Sequence, residues 1–345
     1  VLFDPRPKTR REDLFGRDRE LRMLKENINT PITLITGIRR IGKSSILSVF
    51  LNEVDIPSVL LDLRSLGTNY GLKDLYSILS KALSTKIDKF MEVLKGLSSV
   101  KIFGNEIEIR WKGRDALTLS SFFDALNKRR VIIAMDEAQK FRGPRAIEIL
   151  NALAHAYDYD RNLTFILTGS EAGLLYDFLK FDNEGSPLYG RYCFNLVVER
   201  FDRDTAREFL KRGFEEVNVD VEDEVLEDAV NFFDGIPGWL TFFGNEYISG
   251  NKKIETVKNI AVNLALKEIK NIVRARGRRY ALVLKAIAEG EDTWSSIKRY
   301  VEKREGVTVS SSILSNTINN LEDMSIIKDY KFLDPVYRAA SLKLA

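Results

Sequence analysis

Ile32-Thr33-Leu34-Ile35-Thr36-Gly37-Ile38-Arg39-Arg40-Ile41-Gly42-Lys43-Ser44 decides how this chain is read. The first five residues form a short, mainly apolar run, as a buried strand does. A loop bounded by two glycines follows, and from Ser44 to Asn52 the pattern is an apolar helix. Gly37 to Ser44 has the Walker A spacing, and the chemistry explains that spacing. A triphosphate needs several donors converging at once. A strand-to-helix loop points successive backbone N–H groups inward, and the helix dipole adds partial positive charge. Gly37 and Gly42 let the backbone turn and approach closely. Lys43 reaches the outer phosphates, and the Ser44 hydroxyl ligates Mg2+. The candidate phosphate-binding set is Gly37, Ile38, Arg39, Arg40, Ile41, Gly42, Lys43, Ser44 and Ser45. Such spacing arises by chance about once in 100 chains of this length, and its strand–helix context lowers that further. Two readings of Arg39 and Arg40 stay open: they line the phosphate mouth, or they form a solvated face.

Working outward, Val131 to Met135 is a second continuous apolar run, and it ends in Asp136-Glu137. A strand there delivers both carboxylates to the carboxyl edge of a sheet, where open α/β sheets bind ligands. Asp136 is expected to hold Mg2+, and Glu137 to polarise the attacking water as general base. The adjacent glutamate favours ATP hydrolysis over GTP switching. The guanine-reading pattern is also absent, since neither Asn127-Lys128 nor Asn251-Lys252 is followed by the required aspartate. Thr168-Gly169-Ser170 ends the next strand, and Thr168 or Ser170 either senses the γ-phosphate or caps a helix. Arg191 precedes the run Phe194–Val198. It either stabilises transition-state charge, in cis or towards a neighbour, or forms a surface ion pair.

Further runs, Ser58–Asp62 and Leu163–Thr168, alternate with helical patterns, so a parallel sheet covered on both faces is expected. Between Val100 and Trp111 the period drops to two, with Ile107, Ile109 and Trp111 alternating with charges. Gly104-Asn105 supplies the turn of an inserted hairpin. After about Phe201 the strands stop, and four helical patterns follow to Val273. The C-terminal stretch reads as three helices, 278–288, 293–302 and 310–323, and a small hairpin at 326–333, which together make a winged helix. The third helix places Ile313, Leu314, Ile318 and Leu321 on its apolar side. Its other face offers Ser310, Ser311, Ser315, Asn316 and Asn319, with Lys298, Arg299, Lys303 and Arg304 nearby. Double-stranded DNA and a protein partner both remain open for it. The expected division is an α/β domain over 1–200, a helical lid over 201–275 and the winged helix over 276–345.

Composition narrows the rest. The 345 residues carry 53 Lys+Arg against 50 Asp+Glu, too balanced for a chain coated by nucleic acid. One cysteine, Cys193, and one histidine, His155, exclude an internal disulfide and a Cys- or His-clustered metal centre. His155 is expected in a plain packing or surface role. No signal peptide is visible, and no stretch approaches about 18 uninterrupted apolar residues, so a cytoplasmic protein with no membrane span is expected. High charge and a single glutamine, Gln139, lean towards a thermophile.

These motifs together resemble the archaeal ATPase family of the STAND branch of P-loop ATPases, relatives of the AAA+ and origin-recognition ATPases. Phe15-Gly16-Arg17-Asp18-Arg19-Glu20-Leu21 is similar to the family's opening motif, which packs near the nucleotide base. The paired arginines of the loop, Asp62-Leu63-Arg64, Asp136-Glu137-Ala138-Gln139, Thr168-Gly169-Ser170 and Leu188-Tyr189-Gly190-Arg191 follow in the family's order. Gly235-Ile236-Pro237-Gly238 is similar to its Gly-x-Pro motif, whose proline lies against the nucleotide; a plain helix–helix turn is the other reading. The resemblance implies ATP/ADP and Mg2+ as ligands and a C-terminal winged helix of unspecified partner. No sensor arginine stands beside Gly235 to Gly238, a departure from AAA+ proteins that leaves transition-state charge to Arg191 or a partner. The sequence therefore points to an ATP-driven conformational switch. The alternatives are a DNA-binding or origin-recognition-like regulator whose ATPase is secondary, and a small-molecule kinase, against which Glu137 and the winged helix argue.

Overall fold

The structure is a computed structural model that describes residues 1–95, 97, 99–110, 117–250 and 253–344. Its contacts divide the chain into two units. One comprises Arg17–Thr36 and Lys43–Val197; the other comprises Val1–Gly16, Gly37–Gly42 and Val198–Ala345.

The first unit is α/β. Its elements are α1 (Asp18–Glu26), β1 (Ile32–Thr36), α2 (Lys43–Glu53), β2 (Ser58–Asp62), α3 (Leu72–Ser84), α4 (Ile87–Lys95), β3 (Val100–Phe103), β4 (Glu106–Ile109), α5 (Leu119–Leu126), β5 (Val131–Asp136), α6 (Ala146–Tyr159), β6 (Leu163–Gly169), α7 (Ala172–Leu179) and β7 (Phe194–Val197). Five strands form one parallel sheet in the order β2-β5-β6-β1-β7. β1, β5 and β6 are buried at every residue, which is why their sequences read as mainly apolar runs. The strand order reverses beside β1, so the segment leaving β1 starts at the carboxyl-edge crevice. β3 and β4 pair antiparallel as the expected inserted hairpin, with Ile107 and Ile109 buried and β4 packed on α3. Trp111, the next residue of that alternation, lies outside the described residues.

The second unit is helical: α8 (Arg203–Glu215), α9 (Asp223–Phe233), α10 (Pro237–Gly250), α11 (Ile254–Arg276), α12 (Arg278–Glu289), α13 (Trp294–Glu305), α14 (Ser311–Asp323), β8 (Ile327–Lys328), β9 (Lys331–Phe332) and α15 (Pro335–Ser341). Pro237 does not break a helix. It opens α10, where its missing N–H would have no intrahelical partner anyway. Ahead of it, Asp234 caps α9 in the left-handed region, and Gly235 (φ 67°) turns against the Phe201 carbonyl, which leaves no room for a Cβ.

α12 to α14 and the β8–β9 hairpin form the winged helix. Thr293 caps α13 and Ser310 caps α14. On α14 the buried stripe is Leu314, Thr317, Ile318 and Leu321, while Ile313 is 47% exposed. The expected inward Ile313 is therefore a correction: a residue one position before Leu314 lies about 100° round the helix from it. α15 has no counterpart in the sequence reading. Asp334 caps it, Pro335 starts it, and it packs on α11 and α12. Among the described residues, no helix is long and apolar enough to cross a membrane.

Candidate active site

Within the α/β unit the carboxyl edge of the sheet gathers the polar residues. Parallel register sets Asp62 beside Asp136 and Thr36 beside Gly169, so these strand ends share one edge. Lys43 and Ser44 open α2, the helix that follows β1 in the chain. Ser44 Oγ donates to Asp136 Oδ2 at 2.9 Å and Oδ1 at 3.1 Å. Thr168 Oγ1 donates to Asp136 Oδ1 at 2.6 Å and accepts the Glu137 N–H at 3.0 Å. Asp136, Thr168 and Lys43 are all buried. A hydroxyl and a carboxylate held this close are hard oxygen donors of the kind Mg2+ takes, so the residues present fit that ion.

Glu137 sits in the left-handed region (φ 61°, ψ 50°), a strained conformation for a side-chain-bearing residue that recurs at functional sites. Its carboxylate accepts Ser170 Oγ at 2.7 Å, Ser170 N–H at 3.3 Å and the Gln139 amide. Burial alone would raise its pKa. The Ser170 hydroxyl, the Lys43 charge and Gln139 outweigh that and hold it below the ordinary value, so Glu137 is a carboxylate at neutral pH. Ser170 and Thr168 therefore serve the acidic pair directly. Arg64 pairs with Asp62 at 2.6 Å and feels the charges of Asp136 and Glu137. In the sequence Gln139 figures as a motif residue and as the single glutamine, with no role assigned beside Glu137. Being the chain's sole glutamine, two residues past Glu137, was the available signal.

In the helical unit the loop residues Gly37 to Gly42 meet the Gly235–Gly238 segment. Gly37 (φ 145°) is where a Cβ would stand 2.6 Å from the Val198 carbonyl, whereas Gly42 (φ 100°) faces open space, room that a phosphate would occupy. Arg40 is left-handed (φ 63°). Its carbonyl accepts the Gly238 N–H at 2.8 Å, and a Cβ on Gly238 would fall 2.6 Å from Arg40 Cβ. The two arginines differ: Arg39 is exposed to solvent, whereas Arg40 is half-buried. The Arg40 guanidinium forms a two-pronged pair with Glu268 of α11, and Arg39 approaches the same carboxylate at 3.8 Å.

The remaining candidates are dispersed. Phe15 packs edge-on against Phe201 and Phe209, and Gly16 (φ 64°) lies under the Phe201 ring. Arg17, 4% exposed, pairs with Glu20 at 2.9 Å. Of the two readings of Arg191, the structure shows an ion pair and corrects the placement beside the acidic pair in cis. It precedes β7, whose first residue Phe194 pairs with Thr33 near the start of β1, so Arg191 stands at the amino edge of the sheet. There it pairs with Asp158 at 2.6 Å, bonds the Pro187 carbonyl and lies over Tyr157. Strand direction separates it from Asp136 and Glu137 by about a strand length, on the order of 13 Å, so it does not join them in cis. His155 is half-buried and pairs with exposed Asp124 at 2.8 Å. Beside them Asp160 is buried, its Oδ2 has no hydrogen-bond partner, and burial with the nearby Asp124 charge pushes its pKa up to about 6.

Comparison with known proteins follows this geometry. Residues 14–243 match the family model of an ATPase domain predominantly from Archaea, and residues 274–340 match that of the MCM protein C-terminal winged helix-turn-helix domain. Among solved structures, the chain is 40% identical to the Walker-type ATPase of Pyrococcus abyssi, over 99% of both chains, with a TM-score of 0.83. It is 17% identical to the Aeropyrum pernix Orc1 protein solved in complex with DNA, over 91% of this chain and 85% of that one, with a TM-score of 0.48. It is 14% identical to a STAND protein with a tetratricopeptide repeat sensor from Pyrococcus horikoshii, over 98% of this chain and 44% of that one, with a TM-score of 0.45. No curated protein matches the chain.

Proposed function

The chain belongs to the family of ATPase domains found predominantly in Archaea, and from that premise we propose that it hydrolyses ATP and uses the nucleotide state as a conformational switch. The observation that carries this is the closed polar set Ser44–Asp136–Thr168, with an ionised Glu137 beside it. Ser44 and Asp136 would hold Mg2+, which supplies charge neutralisation at the phosphate oxygens when bound. Lys43 and the backbone N–H groups of Gly37 to Ser45 hold the phosphate chain. Glu137, fixed by Ser170 and Gln139, orients a water and takes its proton as the water oxygen bonds the γ-phosphorus and the β–γ bridging bond breaks. Thr168 is placed to register the metal side through Asp136. The family resemblance assigns Phe15, Gly16 and Arg17 to the base and Pro237 to the nucleotide. Arg191 is left a role only towards a neighbouring molecule. We place the protein in the cytoplasm, organised as α/β domain, helical lid and winged helix.

The test is Glu137→Gln, which keeps shape and hydrogen bonding but removes the base. ATP should still bind by calorimetry, while phosphate release falls by about 100-fold or more. Turnover within a few-fold of the unmodified protein would show that another group orients the water.

A second reading, a DNA-binding regulator whose ATPase is secondary, draws on α14. It exposes Ser311, Asn316 and Asn319 in a winged helix, and Lys303 and Arg304 are exposed just before it. Retention on duplex DNA that weakens with salt supports this reading, and absence of retention at low salt removes it.

A further inference from the structure

Arg40 occupies a backbone conformation that a glycine would adopt without strain. For a residue with a side chain it is strained and persists where the surroundings over-determine it. The surroundings here are specific. The Gly238 N–H holds the Arg40 carbonyl, and the guanidinium carbon lies 4.1 Å from the centroid of the Trp239 ring. Glu268 of α11 takes the guanidinium in a two-pronged pair. Both of these side-chain anchors are themselves held by the C-terminal segment. The Tyr337 hydroxyl of α15 donates to Glu268. Trp239 Nε1 donates at 2.8 Å to Asp334, the residue that caps α15 by accepting the Val336 N–H at 2.8 Å. Trp239, Asp334 and Tyr337 are 1%, 6% and 5% exposed, so these bonds are made away from water, where a lost partner is not replaced. The paired arginines of the loop thus face a carboxylate shared with the last helix.

We propose that Arg40 is a positioning residue for the phosphate loop, and that Glu268 and Trp239 make its position depend on α15, so that displacing the C-terminal helix loosens the loop and weakens nucleotide binding. The proposal rests on the switch reading and supplies its internal linkage. The side chain compensates for a strained backbone turn, and the compensation is delivered by Tyr337 and Asp334. By reciprocity, a nucleotide that orders the loop strengthens the seating of α15 by the same free energy. Glu268 is suited to the part. Burial would raise its pKa, but Arg40 and Tyr337 bring it below the ordinary value, so it remains a counter-ion at neutral pH.

The experiment is a double-mutant cycle on the full chain, with ADP and Mg2+ as probe in isothermal titration. Glu268→Gln should raise the ADP Kd about tenfold, the order of one lost charge-assisted hydrogen bond. Tyr337→Phe, which keeps the ring in place, should raise it about threefold. Arg40→Gly removes both strain and anchor, and in that background Tyr337→Phe should change nothing. In steady-state assays the losses should appear in KM more than in kcat, because Glu137 and Asp136 are untouched. Amides of residues 37–42 should exchange faster in ADP-free Glu268→Gln. An equal Tyr337→Phe effect in both backgrounds, or none in either, overturns the linkage while leaving the ATPase reading intact. Failure of the unmodified chain to bind ADP overturns both.

Discussion

Thr168→Val separates the two hydroxyls that converge on Asp136. Valine has nearly the shape of threonine, so packing is preserved and only polar contacts are lost. Thr168 is fully buried and makes two bonds: it donates to Asp136 at 2.6 Å and accepts the Glu137 N–H at 3.0 Å. The first is charge-assisted, worth about 1.5–3 kcal/mol, and the second leaves a buried N–H without a partner, about 1–3 kcal/mol. Because both fall on one strained turn they overlap, and about 3–4 kcal/mol is the expected loss. For a unit of roughly this size that lowers the midpoint by about 6–16 °C. Ser44→Ala removes a donor to the same carboxylate, but Ser44 is only half-buried, so water replaces much of that bond, and no backbone group is stranded; it should cost only about 1 kcal/mol, or about 2–4 °C. Its damage should instead appear as loss of Mg2+-dependent turnover. Calorimetric unfolding of the two variants and a phosphate-release assay with varied Mg2+ measure both halves. Equal midpoints for the two variants, or a Thr168→Val midpoint within about 2 °C of the parent, would refute the assignment of Thr168 as the buried strut of the acidic pair.

Two further outcomes are expected. Lys43→Ala should abolish ATP binding in calorimetry, since the proposed function makes the buried Lys43 charge that helps keep Glu137 ionised the loop's phosphate cation as well; unchanged affinity would contradict this. Asp160→Asn should raise the melting temperature at pH 8 and leave it unchanged near pH 4. The folded-state pKa of Asp160 is raised to about 6 from 3.8, so its favourable contribution is complete below the lower value and lost as pH rises through the upper one; a melting gain independent of pH would show that the charge of Asp160 is not the cause.

What the sequence made legible is what chain continuity enforces. Gly37 to Ser44 is contiguous, and so is Val131 to Glu137, and a strand that ends in a polar residue can deliver it only to one edge. The third helix of the winged helix was legible for a related reason, since Leu314, Ile318 and Leu321 recur at helical spacing along one stretch. Arg191 shows the limit. Its motif was found, but which edge of the sheet it occupies depends on the direction of β7, and that direction runs from Phe194 beside Thr33 to Val197 beside Thr36. Pro237 leaves two readings open in the sequence, a nucleotide contact or a helix–helix turn, and that it stands at the first position of α10 becomes plain only once the turn before it is known. Most remote from any local pattern is Glu268, 228 positions from Arg40 and 69 from Tyr337. On α11 it is one more charge on a mixed surface helix, and nothing in its neighbours marks it. The cue lay at the other end, in an arginine at a loop position whose backbone favours glycine. Arg40 takes a strained conformation where glycine would be free, and what holds it, the Gly238 N–H together with Glu268 and Trp239, leads from the phosphate loop to the last helix of the chain.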